Sequence, residues 1–149
     1  MSSWTHTRWI EHAEAKLVGA GHKRGGARHA VIELLARQNC AMSAQEIDER
    51  LRATGRGVGR ASVYRALEAL EGLKLVTRID VGQGVARYEP ALPSGDHHHH
   101  LVCDSCGRVE PFEDRELERT IVRLARRLPP FKVEEHEVVL HGECPRCAS

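Results

Sequence analysis

The chain has 149 residues, enough for one ordinary domain or two small ones, with a net charge of +1, 29% charged residues and 4% aromatics. No apolar run approaches the roughly 20 residues of a membrane-spanning helix, and the first 16 residues hold no signal-peptide core, so the expected location is the cytoplasm, with no membrane partner. The near-zero charge conceals an asymmetry: basic side chains exceed acidic ones through residue 89, and acidic exceed basic thereafter. A basic front and an acidic back fit a DNA-contacting domain followed by another.

In chain order, residues 4–19 are expected to form a helix, with Trp9, Ala13, Leu17 and Val18 at helical spacing. Glycines 19, 21, 25 and 26 break it, and a second helix follows over about 27–38, burying Ala30, Val31, Leu34 and Leu35. Ser43 with Glu46 reads as a capping box opening a third helix through Ile47 and Leu51. A fourth runs from Arg60 or Ala61 to about Leu73, with Val63, Leu67 and Leu70 inward. Two strand-like runs, Leu75–Val81 and Val85–Glu89, are joined by Gly-Gln-Gly. Helices followed by a hairpin give the order of a winged helix-turn-helix, with the fourth helix of the chain as the major-groove reader. Its candidate DNA contacts are Arg60, Ser62, Tyr64 and Arg65; a solvated basic face is the alternative for any one of them.

Residues 90–96 carry two prolines and a glycine and read as a linker. The expected domains are therefore 1–89, the winged helix, and 97–149, a small α/β domain, in an α+β chain. In the second, short strands are expected at His98–Cys103 and Arg108–Phe112. A helix over 115–128 is capped by Asp114 and carries Leu117, Ile121, Val122, Leu124 and Leu128 on one side, with Pro129 and Pro130 ending it. A further strand is expected over Lys132–His141.

Five cysteines occur, four of them as Cys103-x-x-Cys106 and Cys144-x-x-Cys147. In a cytosolic chain such pairs read as metal ligands before disulfides, and two knuckles supply four thiolates for a tetrahedral structural Zn²⁺ with no open position for water. A pair of redox dithiols is the alternative. The run His97-His98-His99-His100 is internal and only four long, unlike a purification tag. If it enters a strand, alternation sends His97 and His99 to one face and His98 and His100 to the other, as two candidate metal pairs; a solvated loop is the alternative. Glu118 and His136 could join the first pair and Glu89 the second, although spacing alone does not show these contacts and by itself favours a helix-surface glutamate and a strand-surface histidine. His12, His22 and His29 read as ordinary structural or surface histidines.

Ser43-Ala44-Gln45-Glu46-Ile47, Ala61-Ser62-Val63-Tyr64-Arg65-Ala66-Leu67, Arg87-Tyr88-Glu89, the run from His97 to Gly107, and His141-Gly142-Glu143-Cys144-Pro145-Arg146-Cys147 together resemble the ferric uptake regulator family of bacterial repressors, from about Arg28 to Cys147. The resemblance implies a homodimer that binds double-stranded DNA at AT-rich inverted repeats, with the second domain making the dimer. It assigns Cys103, Cys106, Cys144 and Cys147 to structural zinc. Glu89, His98 and His100 fall to a hinge sensor site, and His97, His99, Glu118 and His136 to a second metal site.

Three positions depart from the family pattern. Ala41, beside Cys40, stands where iron-type members carry a sensor histidine; Pro111, between Glu110 and Glu113, stands where a carboxylate is expected; and the hinge has no cysteine. Asp80 or Cys40 is the candidate to complete the sensor. The expected function is a metal-dependent transcriptional repressor of metal-homeostasis genes, not an enzyme, with Zn²⁺ slightly ahead of Fe²⁺ as the regulatory metal and Mn²⁺ and Ni²⁺ allowed. A peroxide- or thiol-redox-responsive repressor is the alternative. A zinc hydrolase would leave the winged helix unexplained.

Overall fold

A computed structural model of the chain describes residues 6–38, 41–82, 84–92 and 98–148. His97 and Cys40 lie outside the described residues, as does most of the expected hinge. The chain divides into two compact units, Met1–His97 and His98–Ser149. No helix among the described residues is long and apolar enough to cross a membrane.

The first unit contains α1 (His6–Gly19), α2 (Gly26–Arg37), β1 (Met42–Ser43), α3 (Ala44–Ala53), α4 (Arg60–Gly72), β2 (Val76–Asp80) and β3 (Ala86–Pro90). The core is built from one stripe of each helix: Trp9, Ala13 and Leu17 from α1, Val31, Ile32 and Leu35 from α2, Ile47 and Leu51 from α3, Val63, Leu67 and Leu70 from α4. Val18 is exposed and Leu34 only half-buried, with Ile32 buried where Leu34 was expected. Ala30, Val31 and Leu35 lie inward as expected, and the buried stripe of α2 is widened by Ile32 and Ala36.

Ser43 caps α3 as expected, its Oγ accepting from the Glu46 amide at 3.2 Å. The Glu46 carboxylate, however, engages Arg87 of β3 at 2.7 Å, so the cap residue ties the helix to the wing. Strands run β1-β3-β2, all antiparallel, with Met42 opposite Tyr88 and Thr77 opposite Glu89. Gly82 and Gly84 turn the wing at φ 91° and 73°, a region that an L side chain enters only at a cost.

Trp9 pins three segments. It is 1% exposed, and its Nε1 donates to the Leu75 carbonyl at 3.2 Å, the oxygen that also accepts from the Ala91 amide at 2.9 Å. Trp9→Ala should cost about 3–5 kcal/mol, read as a lowered thermal midpoint of the first unit; a midpoint within a degree of the parent would contradict this packing.

A second clip lies on the surface. His29 of α2 has Nδ1 2.6 Å from Glu14 of α1 and Nε2 3.1 Å from Glu33, which also pairs with Arg56. The hydrogen bond to Glu14 raises the imidazole pKa above its ordinary 6.5. With the folded value above the unfolded one, the clip stabilises in full below pH 6.5 and is lost as pH rises through the raised value. His29→Gln should flatten the dependence of thermal midpoint on pH across that window. A slope identical to the parent's would remove the clip from the account.

The second unit contains β4 (His99–Cys103), β5 (Val109–Phe112), α5 (Arg115–Ala125) and β6 (Val139–Gly142). β4 is central, antiparallel to β5 and parallel to β6. Asp114 caps α5, accepting from the Leu117 amide at 2.8 Å, and Glu116 and Glu118 place negative charge at the positive helix end. The helix ends at Ala125, one turn before the prolines, in a run of turns. The strand expected over Lys132–His141 is confined to Val139–Gly142, because β4 offers a partner only from His100, opposite Val139. None of the α5 side chains is buried: Val122 and Leu124, with Leu128 beyond the helix end, are exposed, and Leu117 and Ile121 half-buried. The apolar face of α5 is therefore left open within its own unit.

Candidate metal centres and nucleic-acid interface

The four cysteines are brought together by the β4–β6 pairing. Cys103 ends β4 opposite Gly142, so the turn after β4 and the turn after β6 lie side by side at one end of the sheet. In the first turn Gly107, at φ 75°, donates its amide to the Cys103 carbonyl at 2.8 Å; in the second the Cys147 amide donates to the Cys144 carbonyl at 2.9 Å. All four Sγ atoms lie within 4.8 Å of one another, and Cys106 and Cys144 are 3.8 Å apart. A tetrahedron with Zn–S of about 2.3 Å has an edge of about 3.8 Å, so the set fits Zn²⁺. The cysteines are not in disulfides.

The local field fits a cation too. The Cys144 amide, donating to the Cys103 Sγ at 3.3 Å, pulls the Cys103 thiol down to about 6. Cys144 is lowered in the same way by the Cys147 amide. Cys147, hemmed in by the sulfurs of Cys144 and Cys103, is pushed up to about 12. Four thiolates at this spacing repel one another unless a dication sits among them.

On one face of β4 the buried His99 meets Glu118 of α5. Its Nε2 contacts one carboxylate oxygen, while His136 Nε2 lies 2.8 Å from the other. The two imidazoles are 5.4 Å apart between centroids, and the Val138 amide donates to His99 Nδ1 at 3.2 Å, which turns Nε2 toward the carboxylate. Two imidazoles and a carboxylate from a strand, a helix and an extended segment form a ligand set for a divalent transition metal.

His98 and His100 are neighbours, their rings edge-on with centroids 5.0 Å apart. The histidine run is therefore divided, His99 going to Glu118 and His136 while His98 and His100 come together. Across from His100 on β5 stands Pro111. Glu110 pairs with Leu101, on the opposite face, and its carboxylate engages Arg108 at 2.6 Å. In the first unit Glu89 lies opposite Thr77. Asp80, three residues further along β2, falls on the other face of the sheet and bonds Arg78 at 3.5 Å, so it does not join Glu89.

The candidate DNA contacts start α4. Tyr64 is 53% exposed, Arg65 is exposed and donates to Ser62 Oγ at 3.1 Å, and Arg60 opens the helix. Three of the four are thus on the open side of α4, while Val63, Ala66 and Leu67 hold the other side in the core. Asp48 of α3, passed over in the sequence, lies behind this end of α4. Its signal was an acidic residue next to Ile47 on the inward stripe, four residues before an arginine.

The profile of the ferric uptake regulator family matches residues 19–141. The ferric uptake regulation protein of Bacillus subtilis (strain 168) is 34% identical over 140 residues, covering 93% of each chain. That of Legionella pneumophila is 38% identical over 133 residues, covering 89% of this chain and 96% of the relative. Among solved structures, the Helicobacter pylori ferric uptake regulator, described as having three functional metal-binding sites, superposes with a TM-score of 0.83 at 25% identity, covering 98% of this chain and 95% of its own.

Proposed function

The chain belongs to the ferric uptake regulator family of metal-responsive transcriptional regulators, and from that premise we propose that it is a homodimeric repressor of metal-homeostasis genes whose signal is a divalent metal rather than peroxide. It works in the cytoplasm on inverted-repeat duplex DNA. Residues 1–89 read the DNA, 90–96 form the hinge, and 97–149 hold metal and make the dimer through the open face of α5.

The observation that carries this reading is the division of the histidine run. His98 and His100 would sense metal together with Glu89, while His99, Glu118 and His136, with His97, would hold the second site. When bound, the sensor metal supplies a positive centre that favours the DNA-competent conformation over the open one. Arg60, Ser62, Tyr64 and Arg65 would then contact the operator. Pro111 and Ala41 leave two imidazoles and one carboxylate for the sensor, a set that tetrahedral Zn²⁺ completes with one further ligand and that Fe²⁺ takes as a facial triad, and of the two we put Zn²⁺ first.

The test is duplex binding by full-length protein that retains structural zinc but is stripped of regulatory metal. An inverted-repeat duplex selected from random sequence is titrated against buffered Zn²⁺, Fe²⁺, Mn²⁺ and Ni²⁺. Tight binding switched on by one metal, Zn²⁺ first, is expected. Binding indifferent to every metal, or abolished by peroxide alone, would overturn the metal-sensing reading.

A further inference from the structure

We propose that Asp48 is a positioning residue for DNA reading: it holds Arg60 at the first turn of α4 and thereby sets how sharply the protein tells its operator from other duplexes. This rests on the DNA-binding reading above. Asp48 lies in the middle of α3 and is 0% exposed. Its Oδ2 gathers two cations, the Arg52 guanidinium, hydrogen-bonded one turn along the same helix, and Arg60 Nε at 4.0 Å. Both arginine side chains are more than half exposed, at 61% and 56%. Oδ1 is buried and has no hydrogen-bond partner among the described residues.

An interior carboxylate with one oxygen unsatisfied is a poor way to stabilise a core, where an apolar side chain of similar size serves as well or better. What Asp48 does supply is a negative charge directly behind two exposed guanidinium groups. A guanidinium reads a base edge through a planar fork, and its selectivity depends on that fork arriving in one orientation. A side chain ordered before binding also loses less freedom on binding. The same charge, behind the residues proposed to meet the duplex, would weaken the sequence-independent attraction to its phosphates. Asp48 therefore acts with opposite signs on the two kinds of binding: it raises discrimination and lowers background affinity.

The experiment uses full-length, zinc-loaded, metal-activated protein with the selected inverted-repeat duplex and a scrambled duplex of equal length, over a salt series. Asp48→Asn keeps the side-chain shape and removes the charge. The affinity for the scrambled duplex should rise, and the ratio of selected to scrambled affinity should fall on the order of ten-fold. Arg60→Lys, at an exposed position, should lower the ratio similarly, and the double variant should fall no further than either single one. Relaxation of the Arg60 Nε–Hε group in DNA-free parent protein, which needs no variant, should report an ordered guanidinium. An unchanged ratio, a parallel fall of both affinities with the thermal midpoint, or a freely mobile Arg60 overturns the proposal. Failure of the parent to bind either duplex with any metal instead defeats the DNA-binding reading and the proposal with it.

Discussion

Replacing Cys103 by serine will strip zinc from the second unit, unfold it and dissolve the dimer, while the first unit stays folded. The expectation follows from how little else holds residues 98–148 together. Their buried side chains are Val102, Cys103 and Val109 with His99 and His100, and α5 contributes none. The first unit, by contrast, has a continuous core drawn from four helices and the sheet. Apparent zinc-binding free energies in small four-ligand domains are about 10–16 kcal/mol, as large as the whole stability of a typical domain at about 5–15 kcal/mol. One lost thiolate removes the ligand that joins the end of β4 to the turn after β6. Zinc content, sedimentation and amide exchange of β4 and β6 would be measured together. Exchange should become fast in both strands and stay slow in α2 and α4. A soluble, zinc-free dimer with protected β4 and β6 amides would show that the cysteine cluster is not what holds the unit.

Much of this design was legible in the residues because its signals are local. Cys-x-x-Cys is a turn whose geometry follows from its spacing, and Ser43 and Asp114 cap helices from within four residues. Helical periodicity located the inward stripes of α1 to α4, apart from Val18 and Leu34, because each packs one face on one core. Legibility failed where a partner outside the element decided. Glu46 closes no capping box, since Arg87, brought in by the β1–β3 pairing, takes its carboxylate. The alternation over Lys132–His141 suggested a strand, yet a strand exists only where another lies beside it, and β4 begins at His99. Asp80 was a reasonable sensor ligand by proximity to the wing, but the register that puts Thr77 opposite Glu89 sends it to the other face. His136 and Glu118 are 18 residues apart, and spacing alone favours surface side chains there, so that only the resemblance gives weight to their partnership. Asp48 had no resemblance to name it, and its meaning depends on the meeting of α3 with α4.

His98→Ala should abolish metal-activated DNA binding while leaving zinc content and folding intact. His98 is the better target of the pair. It precedes the paired residues of β4 and is half-buried, whereas His100 is 2% exposed and sits between β5 and β6, so its removal would damage the sheet as well. With Pro111 in place of a carboxylate and Ala41 in place of an imidazole, the proposed sensor has three ligands among the described residues, so loss of one of the three weakens it sharply. Even partners that only orient a ligand typically contribute 10–100-fold in metal affinity, and a direct ligand should contribute more than about 100-fold. Driving a two-state protein from 1:99 to 99:1 needs about 5.5 kcal/mol of differential binding, and a weakened sensor cannot supply it at the same free metal. The activating concentration should therefore move beyond reach, while His136→Ala, in the second cluster, should shift it less. Metal dependence unchanged in His98→Ala would move the sensor off β4, and a larger loss in His136→Ala would place it at Glu118.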